Sequence, residues 1–146
     1  MPLHLQKLCV GADSVDDHRA WIALRLASMK AAGVKPEQVH TTRTMPKRRD
    51  EILDGGSLYW VTRGVMQSRQ RILDLRPVTG PDGITRCDIV LDPVLVLTKP
   101  RKKRPFQGWR YLQASDAPLD LTPGIDPDVE AMPAEMRREL AELGLI

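Results

Sequence analysis

The chain is short of cysteine, of aromatics and of long apolar runs, and each shortage closes off a class of protein. Only Cys9 and Cys87 occur, with no CxxC pair. A disulfide scaffold carries more cysteines in a shorter chain, so both are expected to be reduced, buried small hydrophobes. No stretch approaches the ~20 apolar residues of a membrane span. Pro2, His4, Gln6 and Lys7 interrupt residues 1–11, whereas a secretory signal needs an unbroken apolar stretch. These features predict a cytoplasmic protein without membrane contact.

Recognisable chemical signatures are missing too. His4, His18 and His40 fall in no HxxxH or HExxH spacing, so no metal is expected. Ser57 in GGSLY is not a GxSxG elbow, and no GK[ST] follows Gly55–Gly56. No catalytic residue and no cofactor follow from the sequence. Oligomeric state is not encoded in any visible pattern.

What is present is one ordinary domain's worth of chain, 146 residues, long enough to hold a core without disulfide or metal. The net charge of +3 hides an asymmetry. Residues 1–40 carry +1, residues 41–110 carry +8 and residues 111–146 carry −6. A basic middle and an acidic end bear on partners, not on fold.

Residues 3–10 alternate loosely as a first strand and end at Gly11. Asp13 or Ser14 is placed to cap a helix over 14–32, Ser14 with Asp17 three residues on in the manner of a capping box, with Val15, Ile22, Leu26 and Met29 at helical spacing and Gly33 as its stop. Strands are expected at 38–45 and 57–62, with a short helical turn at 47–53 between them. Further strands are expected at 65–75, 84–91 and 94–97, with a strand-like run at 106–112. Arg63–Gly64 reads as a tight turn or a Gly bulge, and residues 79–83 read as a turn. Residues 99–105, KPRKKRP, read as a basic loop. The order implies an α+β fold: a mostly antiparallel sheet or small β-barrel, covered by the N-terminal helix. Residues 1–112 form the core domain. Residues 113–146 add an acidic, proline-rich segment and a C-terminal helix at 134–143, within a single domain overall.

The strings HLQKLCVG (4–11), MPKR (45–48), GGSLYWV (55–61), PFQGWRYL (105–112) and DAPLDL (116–121) together resemble an uncharacterised bacterial family, known mainly from alphaproteobacteria and catalogued as a domain of unknown function. The likeness spans roughly residues 3–121 and carries over no activity or site residue. A basic, aromatic β-structure preceded by a helix is also similar, at the level of fold, to the PUA-like group of RNA- and modified-base-binding domains, which includes the ASCH and EVE families. That resemblance implies RNA binding, but fold alone does not fix function.

The functional lead is charge interleaved with rings. Lys99, Arg101, Lys102, Lys103 and Arg104 place five cations in six residues, and mutual repulsion favours an anionic partner such as phosphate. Arg43, Lys47, Arg48, Arg63, Arg69, Arg71 and Arg110 could extend the patch. Tyr59, Trp60, Phe106, Trp109 and Tyr111 are the candidate aromatic pocket for stacking bases. Tyr59 and Trp60 are neighbours in a strand, so at most one of them lines a given pocket. The bland alternative is a solvated loop, or one neutralised by the chain's own acidic tail. The expected function is binding of RNA, DNA or a nucleotide. The alternatives are a protein-interaction module without catalysis, working through the terminal helix and acidic segment, and a nucleotide-directed hydrolase. The hydrolase would need two of Asp50, Glu51, Asp54 and Asp92 facing His40.

Overall fold

The computed structural model describes residues 2–121. Its elements are β1 (His4–Leu8), α1 (Val15–Ala31), β2 (Gln38–Thr42), α2 (Arg49–Leu53), β3 (Ser57–Thr62), β4 (Val65–Thr79), β5 (Thr85–Leu91), β6 (Val96–Lys102) and β7 (Trp109–Leu112). A single 3-10 turn follows at Ala114–Asp116. The expected C-terminal helix and most of the acidic segment lie outside the described residues.

The class is α+β, built on a seven-stranded, mostly antiparallel sheet in the order β2-β5-β4-β3-β1-β7, with β6 also on β4. The sheet is open, so of the two sequence-based expectations the barrel is not realised. One pairing departs from the antiparallel expectation: β1 runs parallel to β3, with Leu5 opposite Leu58 and Lys7 opposite Trp60. The reason is connectivity. β1 reaches β3 through α1, β2 and α2, and a long crossover allows parallel pairing where a tight turn does not.

Local chemistry explains most boundaries. Ser14 Oγ accepts from Asp17 N at 3.0 Å and starts α1, with Asp16 and Asp17 in the positively polarised first turn. α1 buries Val15, His18 and Ile22, all in its first half, and leaves Trp21 and Leu24 exposed. Arg63 (φ 50°) and Gly64 (φ 78°) form the two-residue turn between β3 and β4, both in the left-handed region that such hairpins demand. β4 runs further than expected, to Thr79, because β5 pairs with its second half from Ile72 to Thr79. Pro77 is tolerated on its exposed stretch.

The basic segment needs correction. Lys99, Arg101 and Lys102 are not in a loop; they belong to β6, where Met66 faces Arg101 and Val65 faces Lys102. A solvated strand needs no apolar face, only a partner for its backbone, and β4 supplies it. The loop begins at Lys103, whose N–H donates to Gly64 O at 2.9 Å. The strand-like run at 106–112 likewise shrinks to Trp109–Leu112, because Gly108 turns the chain at φ 67°.

Strand alternation divides the apolar residues between the two sheet faces. One face carries the larger core, including Leu5, Ile22, Ile52, Leu58, Trp60, Leu75, Ile89 and Leu91. The other carries a smaller cluster of Tyr59, Val61, Met66 and Leu112, with Phe106 packed at its margin. Cys87 is buried and Cys9 half-buried, both as free thiols, and burial pushes each thiol up to about 11. Neither is a thiolate nucleophile at neutral pH. Among the described residues, no helix is long and apolar enough to cross a membrane.

Candidate functional site

The sequence-selected cations fall into three situations. Arg101, Lys102 and Arg104 are exposed, and Lys103 is half-buried beside the Arg63–Gly64 turn. Arg101 donates through Nη1 to the backbone carbonyl of Asp116, and no carboxylate pairs with it among the described residues. Among the described residues no carboxylate pairs with Lys99, Lys102, Lys103 or Arg104. Arg110, on β7, lies over Phe106 with Cζ 5.1 Å from the ring centre.

A second group gathers elsewhere. Trp109 Nε1 donates to Thr44 O at 2.8 Å, and Tyr111 Oη accepts from Lys47 N at 3.0 Å and Arg48 N at 3.3 Å. These bonds fasten the loop after β2 to edge strand β7. Arg43, Lys47 and Arg48 are exposed there, with Arg48 over the Tyr111 ring at 5.8 Å and ion-paired to Glu51.

Arg69 and Arg71 lie on β4, opposite Tyr59 and Ser57 of β3. Arg69 is half-buried and bidentate to Asp120, at 2.7 Å to each carboxylate oxygen, with a third bond to Ser57 Oγ at 3.0 Å. The pair holds the Asp120 carboxyl below its usual range. It pins residues 119–121 against β6, where Lys99 N donates to Leu119 O and Leu121 N to Leu97 O, each at 2.8 Å. Arg69 is thus a structural clamp.

The rings offer less stacking surface than their number suggests. Tyr59 and Trp60 are buried on opposite faces, as alternation requires. Trp109 and Tyr111 are half-buried in an edge-to-face pair with centroids 4.9 Å apart. Phe106 is half-buried and covered by Arg110. No open aromatic platform results from the five.

Reasoning from sequence spacing missed a partly open pocket of about 220 Å³ between the end of β1, the first half of α1 and β2. Its lining includes Lys7, His18, Trp21, Gln38, His40 and Trp60. Trp60 lies at its base, anchored by Nε1 donating to Gln70 Oε1 at 2.9 Å. Both imidazoles stand edge-on to that indole, His18 at 5.1 Å and His40 at 5.3 Å between ring centres. No spacing rule could have joined residues 18 and 40, since only the packing of α1 against β2 and β3 makes them neighbours. Among the described residues the lining contains no Asp or Glu, so none of these supplies the carboxylates that a hydrolase centred on His40 requires. Of those candidates, Glu51 is paired with Arg48, and Asp92 accepts from Val94 N at 2.9 Å.

Burial, then Lys7 and His18, push the His40 imidazole down to about 4, and burial lowers His18 as well. Between pH 4 and the ordinary imidazole value of 6.5, the unfolded chain therefore binds more protons than the folded one. Folding stability should fall as pH is lowered through that window and be flat with respect to His40 above it. Urea unfolding between about pH 7.5 and 5 measures this directly. The variant His40→Phe should show a shallower dependence, and an unchanged slope would exclude His40 as its source.

A family model described as protein of unknown function (DUF1489) matches residues 5–146. No curated protein and no solved structure matches the chain.

Proposed function

Starting from a chain that belongs to the DUF1489 family, we propose that it is a nucleic-acid-binding module that grips phosphates through β6 and the loop after it. The observation that carries this reading is the contrast among its cations. Arg48, Arg49, Arg69, Arg76 and Arg86 are all held in close ion pairs with carboxylates of the same chain. The consecutive cations Lys102, Lys103 and Arg104 have no such partner among the described residues, although they repel one another. Bound phosphate would relieve that repulsion and release condensed counterions.

The half-buried rings favour backbone contact over base stacking. Little sequence preference is therefore expected, because phosphate contacts position a protein without reading bases. The likeness to PUA-like domains, suggested by GGSLYWV and WRYL, would suit such a role, although the sheet here is open.

Mobility shift with short RNA and DNA at two salt concentrations tests the proposal. With about five phosphates contacted, affinity for duplex should drop several-hundred-fold between roughly 50 and 200 mM salt. Absence of any shift at the lower salt would remove the reading.

A further inference from the structure

The chain returns after β7 to the strand that carries the candidate phosphate grip. Asp116 O meets Arg101, Leu119 O accepts from Lys99 N, and Leu121 N donates to Leu97 O. Residues 116–121 thus run antiparallel to β6 on the edge that β4 leaves free, with Thr98 opposite Asp120. We propose that residues 119–121 are an autoinhibitory latch. Closed, they occupy the edge of β6 along which a nucleic-acid backbone would run, and binding requires them to swing away. This adds a regulation to the grip and rests on the reading of β6 as a phosphate-binding strand.

The hold on the latch is polar and local. Arg69 reaches from β4 to both oxygens of Asp120 at 2.7 Å, with Ser57 Oγ steadying the same guanidinium at 3.0 Å. Leu119 is 70% exposed, so little apolar burial opposes opening there. Just ahead of it Pro118 is buried and Ala117 packs on the Tyr59 cluster, which keeps the chain docked up to a hinge at Leu119. A few backbone bonds and one charged fork therefore separate the closed state from the open one.

The charge of the latch opposes phosphate. It sets the Asp120 carboxylate, still 41% exposed, and the Leu119 carbonyl beside Lys99. Leu121, tied to β6, is also where the chain passes into residues 122–146, which hold six carboxylates and two arginines. A phosphate backbone extending from Lys102 towards Lys99 meets like charge while the latch is shut. A binding site open in only a fraction of molecules has its apparent affinity reduced by that fraction. Removing the latch leaves the complex the same and removes this cost.

The test combines amide hydrogen exchange with binding of a short single-stranded RNA to the full chain. The Lys99 and Leu121 amides donate across the latch, so their exchange in the free protein reports its opening. Arg69→Ala and Asp120→Asn should each speed exchange at both amides. Each should also tighten RNA binding about tenfold, the hold of one charge-assisted fork, with the salt slope unchanged. Arg69→Ala is the sharper arm, because it strengthens binding while taking a cation away. Asp120→Asn, at a partly exposed position, serves should Arg69→Ala fail to fold. The double variant should gain no more than either single one, since both remove the same contact. In wild type, saturating RNA should strip protection from the two amides. Weakened or unchanged binding in either folded variant, or protection that survives in the wild-type complex, overturns the latch and leaves the grip standing. If neither wild type nor variants bind RNA at roughly 50 mM salt, the grip itself is wrong and the latch falls with it.

Discussion

Gly56→Ala should lower the stability of this protein by about 3 kcal/mol or more, because overpacking against backbone and a disturbed hydrogen bond act together. Gly56 is buried between α2 and β3. Its N–H donates to Ile52 O at 2.7 Å, and its carbonyl accepts from Ile72 N at 3.0 Å. A Cβ at this position would collide with the backbone carbonyl oxygens of Leu3 and Ile52. Neither oxygen can rotate away as a side chain would. Leu3 is itself tied to α2 through its N–H to Glu51 O at 3.2 Å. Relief therefore requires the chain ahead of β1, α2 and the start of β3 to separate. Against a usual total of about 5–15 kcal/mol, that is a large fraction. In thermal unfolding it corresponds to a drop of roughly 10 °C for a domain of this size. Gly83→Ala is the comparison. Gly83 has φ 76° but no atom within 4 Å of a built Cβ, so only backbone strain of about 1 kcal/mol is expected there. Equal losses in the two variants would show that close approach at Gly56 is not what matters.

The second large effect concerns the cations. Replacing Lys102, Lys103 and Arg104 together by Ala should weaken nucleic-acid binding about 10- to 150-fold at low salt, at roughly 0.5–1 kcal/mol per exposed charge contact. A sharper sign is the salt dependence. Three lost phosphate contacts should make the slope of log affinity against log salt shallower by about 2.7 on duplex and about 2.1 on single strands. Folding should survive, since Lys102 and Arg104 are exposed and strand β6 is held by its backbone pairing with β4. The variant Arg69→Ala provides a contrast. Arg69 is engaged with Asp120 and Ser57, so its loss should loosen residues 119–121 while leaving the salt slope unchanged. If the triple variant kept wild-type affinity and slope, phosphate contact at this strand and loop would be excluded.

How far the sequence could be read depended on the range of the interaction. Helix α1 was legible because its cap, acidic first turn and glycine stop lie within twenty residues of one another. Strand β3 and the Arg63–Gly64 turn were legible for the same reason. β6 was not, because KPRKKRP has the composition of a loop and becomes a strand only through hydrogen bonds to a partner about 35 residues earlier. The end of β4 was misplaced because β5, not local propensity, extends it.

Among site residues, strand alternation alone showed that Tyr59 and Trp60 could not share a pocket. It could not show that Trp60 would meet two histidines in perpendicular ring contacts, nor that Arg69 would be tied up by a carboxylate 51 residues away.

By itself, then, the sequence determined the α+β class, the positions of the well-capped elements and the uneven spread of charge, all properties of neighbouring residues. Tertiary structure alone decided that the sheet stays open, that β1 lies parallel to β3, which cations remain unpaired and that His18, Gln38 and His40 meet around one pocket. Those outcomes depend on long-range pairing, where the geometry of the sheet, rather than the identity of any one residue, sets who faces whom.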